Sequence, residues 1–127
     1  ARPDLKIVAA EPEQASMLAG KEWSPHMIQG WTPDFVPEVL DREIPDQLEP
    51  VNQDLAKDTA LALAQTEGIF TGVSGGATLA AALSVARDAE PGSVFCVMLP
   101  DTGERYLSTF MFEGINEGSD DEWLASL

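Results

Sequence analysis

Apolar and polar positions change rhythm several times along this chain. Leu5 to Ala10 is a short run dominated by apolar residues, and it meets Glu11-Pro12, where proline brings no amide hydrogen to a ladder. A buried strand is expected over residues 5–10. Glu13 to Ala19 has helix-forming composition and ends at Gly20, which predicts a short helix. Gln47 to Val51 reads as a second strand, followed by Asn52, a suitable helix cap. Leu55, Ala56, Thr59, Ala60, Leu63 and Ala64 then recur at helical spacing until Gly68 closes the helix. After Ile69-Phe70-Thr71-Gly72-Val73, the residues Ala77 to Ala89 predict a second, very apolar helix. Pro91-Gly92 make a turn, Ser93 to Leu99 predicts a strand apolar on both faces, and Pro100-Asp101-Thr102-Gly103 break it. Strands alternating with helices imply a parallel α/β sheet. No internal repeat is visible.

Two stretches follow neither rhythm. Lys21 to Pro37 holds three prolines, two tryptophans, the single histidine and Gly30, which suits an ordered loop better than helix or strand. Gly114 to Ser126 is acidic and rich in Gly, Ser and Asn, with Trp123 and Leu124 as its candidate anchors. The expected division is an α/β portion over residues 1–112 and an acidic tail over 113–127.

Composition narrows the function classes. A chain of 127 residues, 44% apolar, can bury about two-thirds of its unfolded surface and has no apolar run of membrane-spanning length. The opening Ala1-Arg2-Pro3-Asp4 shows no secretory or transit signal and is expected to continue from a longer chain. Seven basic residues against 22 acidic ones give a net charge of −15, which repels nucleic-acid backbones and anionic membranes. The acidity is spread out and implies solubility before it implies a docking surface. Cys96 is the single cysteine and lies within Val94-Phe95-Cys96-Val97-Met98-Leu99, so it reads as a buried structural thiol in a reducing, cytoplasmic compartment.

Thr71-Gly72-Val73-Ser74-Gly75-Gly76-Ala77-Thr78 runs directly into a helix. Glycines let backbone amides approach a ligand, and a helix N-terminus adds partial positive charge, so the segment suits an anion or a polar ring atom. Neither the P-loop nor the dinucleotide fingerprint fits it. A tight turn with Ser74 as a helix cap is the plainer alternative. Asp101-Thr102-Gly103-Glu104-Arg105-Tyr106 follows the last predicted strand, at the sheet edge where open α/β folds bind ligands. His26, without a nearby nucleophile or second ligand, reads as structural, and no metal site or catalytic triad emerges.

Together these segments resemble the cysteine synthase family of fold-type II pyridoxal-phosphate enzymes. The resemblance is carried in order by Lys6-Ile7-Val8-Ala9-Ala10-Glu11-Pro12, Pro25-His26-Met27-Ile28-Gln29-Gly30 and Phe35-Val36-Pro37-Glu38-Val39-Leu40-Asp41. It continues through Glu67-Gly68-Ile69, Gly72-Val73-Ser74-Gly75-Gly76-Ala77 and Leu99-Pro100-Asp101-Thr102-Gly103-Glu104-Arg105-Tyr106-Leu107-Ser108-Thr109. It implies a three-layer α/β/α fold built on a parallel sheet, with this chain as part of the C-terminal domain. It also implies that Ser74 bonds the pyridine nitrogen of pyridoxal 5′-phosphate, that Pro100 and Asp101 flank the ring near that nitrogen, and that Gly30 lines the substrate side. A neutral hydroxyl at the nitrogen tempers the electron sink and favours β-replacement, here acetate of O-acetylserine exchanged for sulfide to give L-cysteine. A homodimer, the remainder of the same enzyme and serine acetyltransferase are the partners implied.

The chain departs from the family at Trp31-Thr32-Pro33-Asp34, where a small, glycine-containing stretch is usual, and in Ser74-Gly75-Gly76, where many relatives carry a second serine. Nothing in it corresponds to the family's Schiff-base lysine, substrate-carboxylate loop or phosphate cradle; Lys6, Lys21 and Lys57 lie outside any matching motif. No catalytic residue is therefore assigned, and the chain alone is expected to be inactive. Two alternatives stay open: a segment of a cystathionine β-synthase-like or phosphoserine-using sulfhydrylase, and a non-catalytic binding module of the same fold.

Overall fold

A computed structural model of the chain describes residues 2–114 and 118–126. Its sheet has two parallel strands, β1 (Val8–Pro12) and β2 (Gln47–Val51), in register from Val8 opposite Gln47 to Pro12 opposite Val51. Two long helices follow, α1 (Gln53–Glu67) and α2 (Val73–Ala86), and a short α3 (Asp120–Leu124) lies in the tail. The parallel α/β organisation expected from the alternation is present.

The second half of that pattern folds as the sequence dictates. Asn52 caps α1, its side-chain oxygen accepting from the amides of Asp54 at 2.9 Å and Leu55 at 3.4 Å, and Gly68 ends the helix in the left-handed region at φ 69°. The α1 face toward the core is made of Ala56 and Ala60, and it meets Val73, Ala77, Ala80 and Ala81 of α2. Small residues on both sides let the helix axes come close. Gly76 marks the closest approach: a Cβ there would overlap the carbonyl oxygen of Ala56 and lie 2.7 Å from the Ala60 Cβ. Around this pair the core closes with Val51, Ile28, Tyr106 and Met111.

Several expectations shift. The first strand runs from residue 8 to 12 instead of 5 to 10, because Pro12 takes the last ladder position, where a missing amide is tolerated. Upstream, the backbone of Ile7 is engaged by Asp46, whose carboxylate accepts from the Ile7 amide at 2.7 Å while its own amide donates to the Ile7 carbonyl at 2.8 Å. Leu5 and Ile7 are consequently exposed. The helix expected over residues 13–19 is a single 3-10 turn, Glu13–Ala15. Buried Glu11 accepts from the amides of Leu18 and Ala19, and Ser16 donates to the Pro12 carbonyl at 2.9 Å, bonds that compete with a helical ladder. Helix α2 begins at Val73, a turn before the expected Ala77, with Gly72 as its cap residue. Ser74 is therefore inside the first turn and not its cap.

The largest correction concerns Ser93 to Leu99. This segment forms no strand, Val94 is 96% exposed, and Cys96, read as a buried thiol, is exposed. A strand apolar on both faces needs neighbours on both edges. Here a groove of about 1220 Å³, bordered by Ile7, Val8, Ala81, Val85, Val94 and Val97, lies where such a neighbour would pair. Thr78 holds the segment down by donating to the Met98 carbonyl at 2.5 Å. In the tail, Leu124, expected as an anchor, is exposed, while the Trp123 side chain lies outside the described residues.

Candidate functional site

The two motifs singled out in the sequence are stitched together by backbone. Thr71 and Thr102 form an antiparallel bridge, the Gly72 amide donates to the Asp101 carbonyl at 3.4 Å, and the Gly103 amide donates to the Phe70 carbonyl at 3.2 Å. The Thr71 hydroxyl adds a bond to the Asp101 carbonyl at 3.1 Å. A 3-10 turn over Gly103–Tyr106 then swings Tyr106 back over Asp101, so that the phenol donates to Oδ2 at 2.6 Å. Gly72 makes this closure possible, because a Cβ there would overlap both Asp101 Oδ1 and the Tyr106 ring. Two residues further on, Ser74 is 4% exposed, in the first turn of α2. Asp101 Oδ1 is buried and has no hydrogen-bond partner among the described residues.

Burial pushes the Tyr106 phenol above its ordinary pKa of 10.0, and Asp101 pushes it further through the hydrogen bond and its charge; Ser74 and Arg105 act weakly in the opposite sense. The folded chain thus favours the neutral phenol more than an unfolded chain does. Stability from this group is complete below the unfolded value and is lost as pH climbs through the higher folded one. Urea midpoints taken from about pH 8 to about pH 11 should fall more steeply for the natural sequence than for Tyr106→Phe, which has nothing to titrate there.

Of the residues expected at a site, Ser74 and Asp101 are brought together, and Tyr106, to which the motif alone gave no role, joins them. A tyrosine five residues after an aspartate, across a tight Thr-Gly turn, was the available signal. Pro100 is exposed and contributes the backbone that leads into Asp101. Gly30 stands on the loop at φ 83°, between Ile28, which is fully buried, and Trp31, which packs on the same core. Next to it, Thr32 holds φ 30°, an unusual value for a β-branched residue, and its carbonyl accepts from Trp23 Nε1 at 3.0 Å with His26 Nε2 at 3.2 Å. His26, expected to be structural, ties the loop to Thr32 through Nε2, while its Nδ1 is buried with no hydrogen-bond partner among the described residues. Thr32→Gly should relieve that strain and raise stability by about 1 kcal/mol, read as a higher urea midpoint with an unchanged slope.

The family model described as "Pyridoxal-phosphate dependent enzyme" matches residues 1–101. The chain belongs to this family. It is 60% identical over 127 residues to the O-ureido-L-serine synthase of Streptomyces lavendulae, covering 100% of this chain and 39% of that protein. It is 40% identical over 110 residues to a cysteine synthase of Staphylococcus aureus, covering 87% of this chain and 36% of the relative. A crystal structure of O-ureido-L-serine synthase superposes with a TM-score of 0.89 at 59% identity, over 98% of this chain and 39% of that one. One of cysteine synthase from Entamoeba histolytica gives 0.81 at 36% identity, over 95% and 36%. The fold is that of the fold-type II pyridoxal-phosphate enzymes, and the chain spans about two-fifths of its relatives' length.

The family's cofactor is pyridoxal phosphate, and the residues around Ser74 suit one end of it. A pyridine nitrogen is a single polar atom on an otherwise apolar ring edge. A buried hydroxyl, which can donate to that atom, with a buried, unpartnered carboxylate oxygen on the adjoining turn as an acceptor, is a polar set of matching size.

Proposed function

We propose that this chain is the C-terminal portion of a pyridoxal-phosphate-dependent enzyme that replaces the oxygen substituent of an activated serine, with O-ureido-L-serine as its product. The observation that carries this reading is the buried Ser74 hydroxyl at the head of α2, beside Tyr106 and Asp101, in a chain 60% identical to an O-ureido-L-serine synthase. When bound, pyridoxal phosphate supplies an electron sink for the substrate's α-carbon. Ser74 contacts the ring nitrogen, Pro100 and Asp101 close the site on that side, and the Gly30 backbone borders the substrate. The α-proton would be removed, and its electron pair would drive the break of the Cβ–oxygen bond of O-acetylserine, with acetate leaving. The hydroxyl oxygen of hydroxyurea would then form the new Cβ–O bond, losing its proton, as the α-carbon regains one. The base that moves this proton and the phosphate cradle belong to the remainder of the protein.

A second reading, L-cysteine from O-acetylserine and sulfide, is supported by the 40% identity to a cysteine synthase. The loop Trp31-Thr32-Pro33-Asp34 favours the first. It departs from the small stretch usual in cysteine synthases, beside Gly30, and its Thr32 carbonyl accepts from Trp23 and His26. A homodimer and a cytoplasmic location fit both readings, and a serine acetyltransferase partner fits only the second. Steady-state assays of the full-length protein with O-acetylserine and either hydroxyurea or sulfide decide between them. A higher kcat/KM with hydroxyurea is expected. A preference for sulfide would move the assignment to cysteine synthesis, and turnover only with phosphoserine, or with serine and homocysteine, would overturn both.

A further inference from the structure

Thr32 is strained on two counts. It holds φ 30°, which β-branched residues rarely adopt, and it precedes Pro33, whose ring drives the residue before it toward extended backbone of negative φ. Its neighbours keep it there. Trp23 Nε1 donates to the Thr32 carbonyl at 3.0 Å, and His26 Nε2 lies 3.2 Å from the same oxygen. A carbonyl can only accept, so Nε2 carries the proton in that bond and Nδ1 of the neutral ring is left as a bare acceptor. That Nδ1 is buried with no hydrogen-bond partner among the described residues. Two unfavourable features thus meet at one carbonyl. Strain of this kind persists where the surroundings over-determine it, and it concentrates at ligand sites.

The rest of the loop is tied down on the other side of Gly30. The Met27 amide donates to Gln53 Oε1 on α1 at 3.0 Å, Ile28 is fully buried, and the Trp31 amide donates to the Ile28 carbonyl at 3.3 Å. Trp31 packs on the core, so its bulk is taken up there. Gly30 itself has no side chain and offers backbone alone. We propose that Trp23 and His26, acting through the Thr32 carbonyl, are positioning residues that fix the Gly30 backbone so that it selects a planar, amide-bearing acceptor over sulfide. The proposal rests on the reading that Gly30 borders the substrate and that the full-length protein uses hydroxyurea. Fixed peptide groups can orient an acceptor that carries a carbonyl and amide hydrogens, and they lose that ability when the backbone is free to move. Sulfide has neither group and draws nothing from the restraint. The loop therefore acts on acceptor binding, while acetate departs from O-acetylserine before the acceptor bonds.

The test compares three variants of the full-length holoenzyme. Trp23→Phe keeps an aromatic ring but removes the indole donor, Thr32→Gly frees the backbone, and Thr32→Ala removes the hydroxyl while keeping a Cβ that resists the same rotation. Trp23→Phe and Thr32→Gly should each raise KM for hydroxyurea about tenfold, the effect of one lost positioning contact, with KM for sulfide and for O-acetylserine unchanged within about twofold. Thr32→Ala should stay near the natural sequence. Urea midpoints supply a readout apart from turnover: Thr32→Gly should be the more stable protein and the poorer binder of hydroxyurea, opposite signs that a merely structural role does not produce. A natural hydroxyurea KM in Trp23→Phe or Thr32→Gly, an equal rise for both acceptors, or a loss in Thr32→Ala as large as in Thr32→Gly overturns the proposal. If Trp23→Phe fails to fold by circular dichroism, the two Thr32 variants decide. The natural sequence separates the two claims. If it prefers sulfide, the underlying reading fails; if it prefers hydroxyurea and the variants do not discriminate, only the role of the loop is lost.

Discussion

Ser74→Ala in the full-length protein should keep pyridoxal phosphate bound while slowing α-proton removal roughly tenfold, the effect of losing one buried hydrogen bond at a transition state. Retention is expected because ring stacking and the phosphate cradle supply most of the affinity, and neither depends on this hydroxyl. Ser74→Asp should do more. It puts a carboxylate where the serine is 4% exposed, two residues after Gly72, against which Asp101 packs, and it would fix the ring nitrogen as an acid. Its signature is a changed balance between replacement and competing reactions, followed by product analysis, together with lower stability. Rapid-mixing measurements of the α-deuterated substrate isolate the affected step. Rates unchanged in both variants would remove Ser74 from the site.

Gly76→Ala is expected to destabilise the folded protein by about 1–3 kcal/mol, toward the upper end of that range. Most overpacked positions adjust by turning a side chain. Here the new methyl meets the Ala56 carbonyl oxygen and sits 2.8 Å from the Ala60 amide nitrogen, so one helix must move against the other. Displacing α1 from α2 also moves Val73, and with it the turn that presents Ser74. Urea denaturation of the full-length protein measures the loss, and an unchanged midpoint would mean that the helices separate more freely than their packing implies. At Ala77, whose methyl already lies in the same core, Ala77→Gly should cost less, about 1 kcal/mol, chiefly through backbone freedom.

What was legible in the sequence follows from how local each signal is. The Asn52 cap, the Gly68 stop and the spacing of Ala56 and Ala60 are decided within a turn or two of helix, and the structure has them as expected. Ser93–Leu99 depends on neighbours distant in sequence, so its apolar pattern announced burial without guaranteeing a partner in this chain. The failure at Glu13–Ala19 has another origin. Composition favours helix, but the Glu11 carboxylate reaches forward to two amides, a side-chain bond that propensity does not register. At the site, Ser74 and Asp101 were visible through motif resemblance. Tyr106 was not, because its role comes from a bond back across the Gly103 turn and from the missing Cβ at Gly72, both properties of folded geometry.

Cys96 offers a consequence of a different kind. It is the single cysteine of the chain, it borders the groove beside β1, and it is exposed. A fluorophore attached there would report on that groove, with no other thiol in this chain to compete for it. Its emission would register the arrival of a neighbouring strand as a change of polarity, so the position misjudged as buried becomes a ready-made gauge of when, during assembly of the full-length protein, this surface is covered.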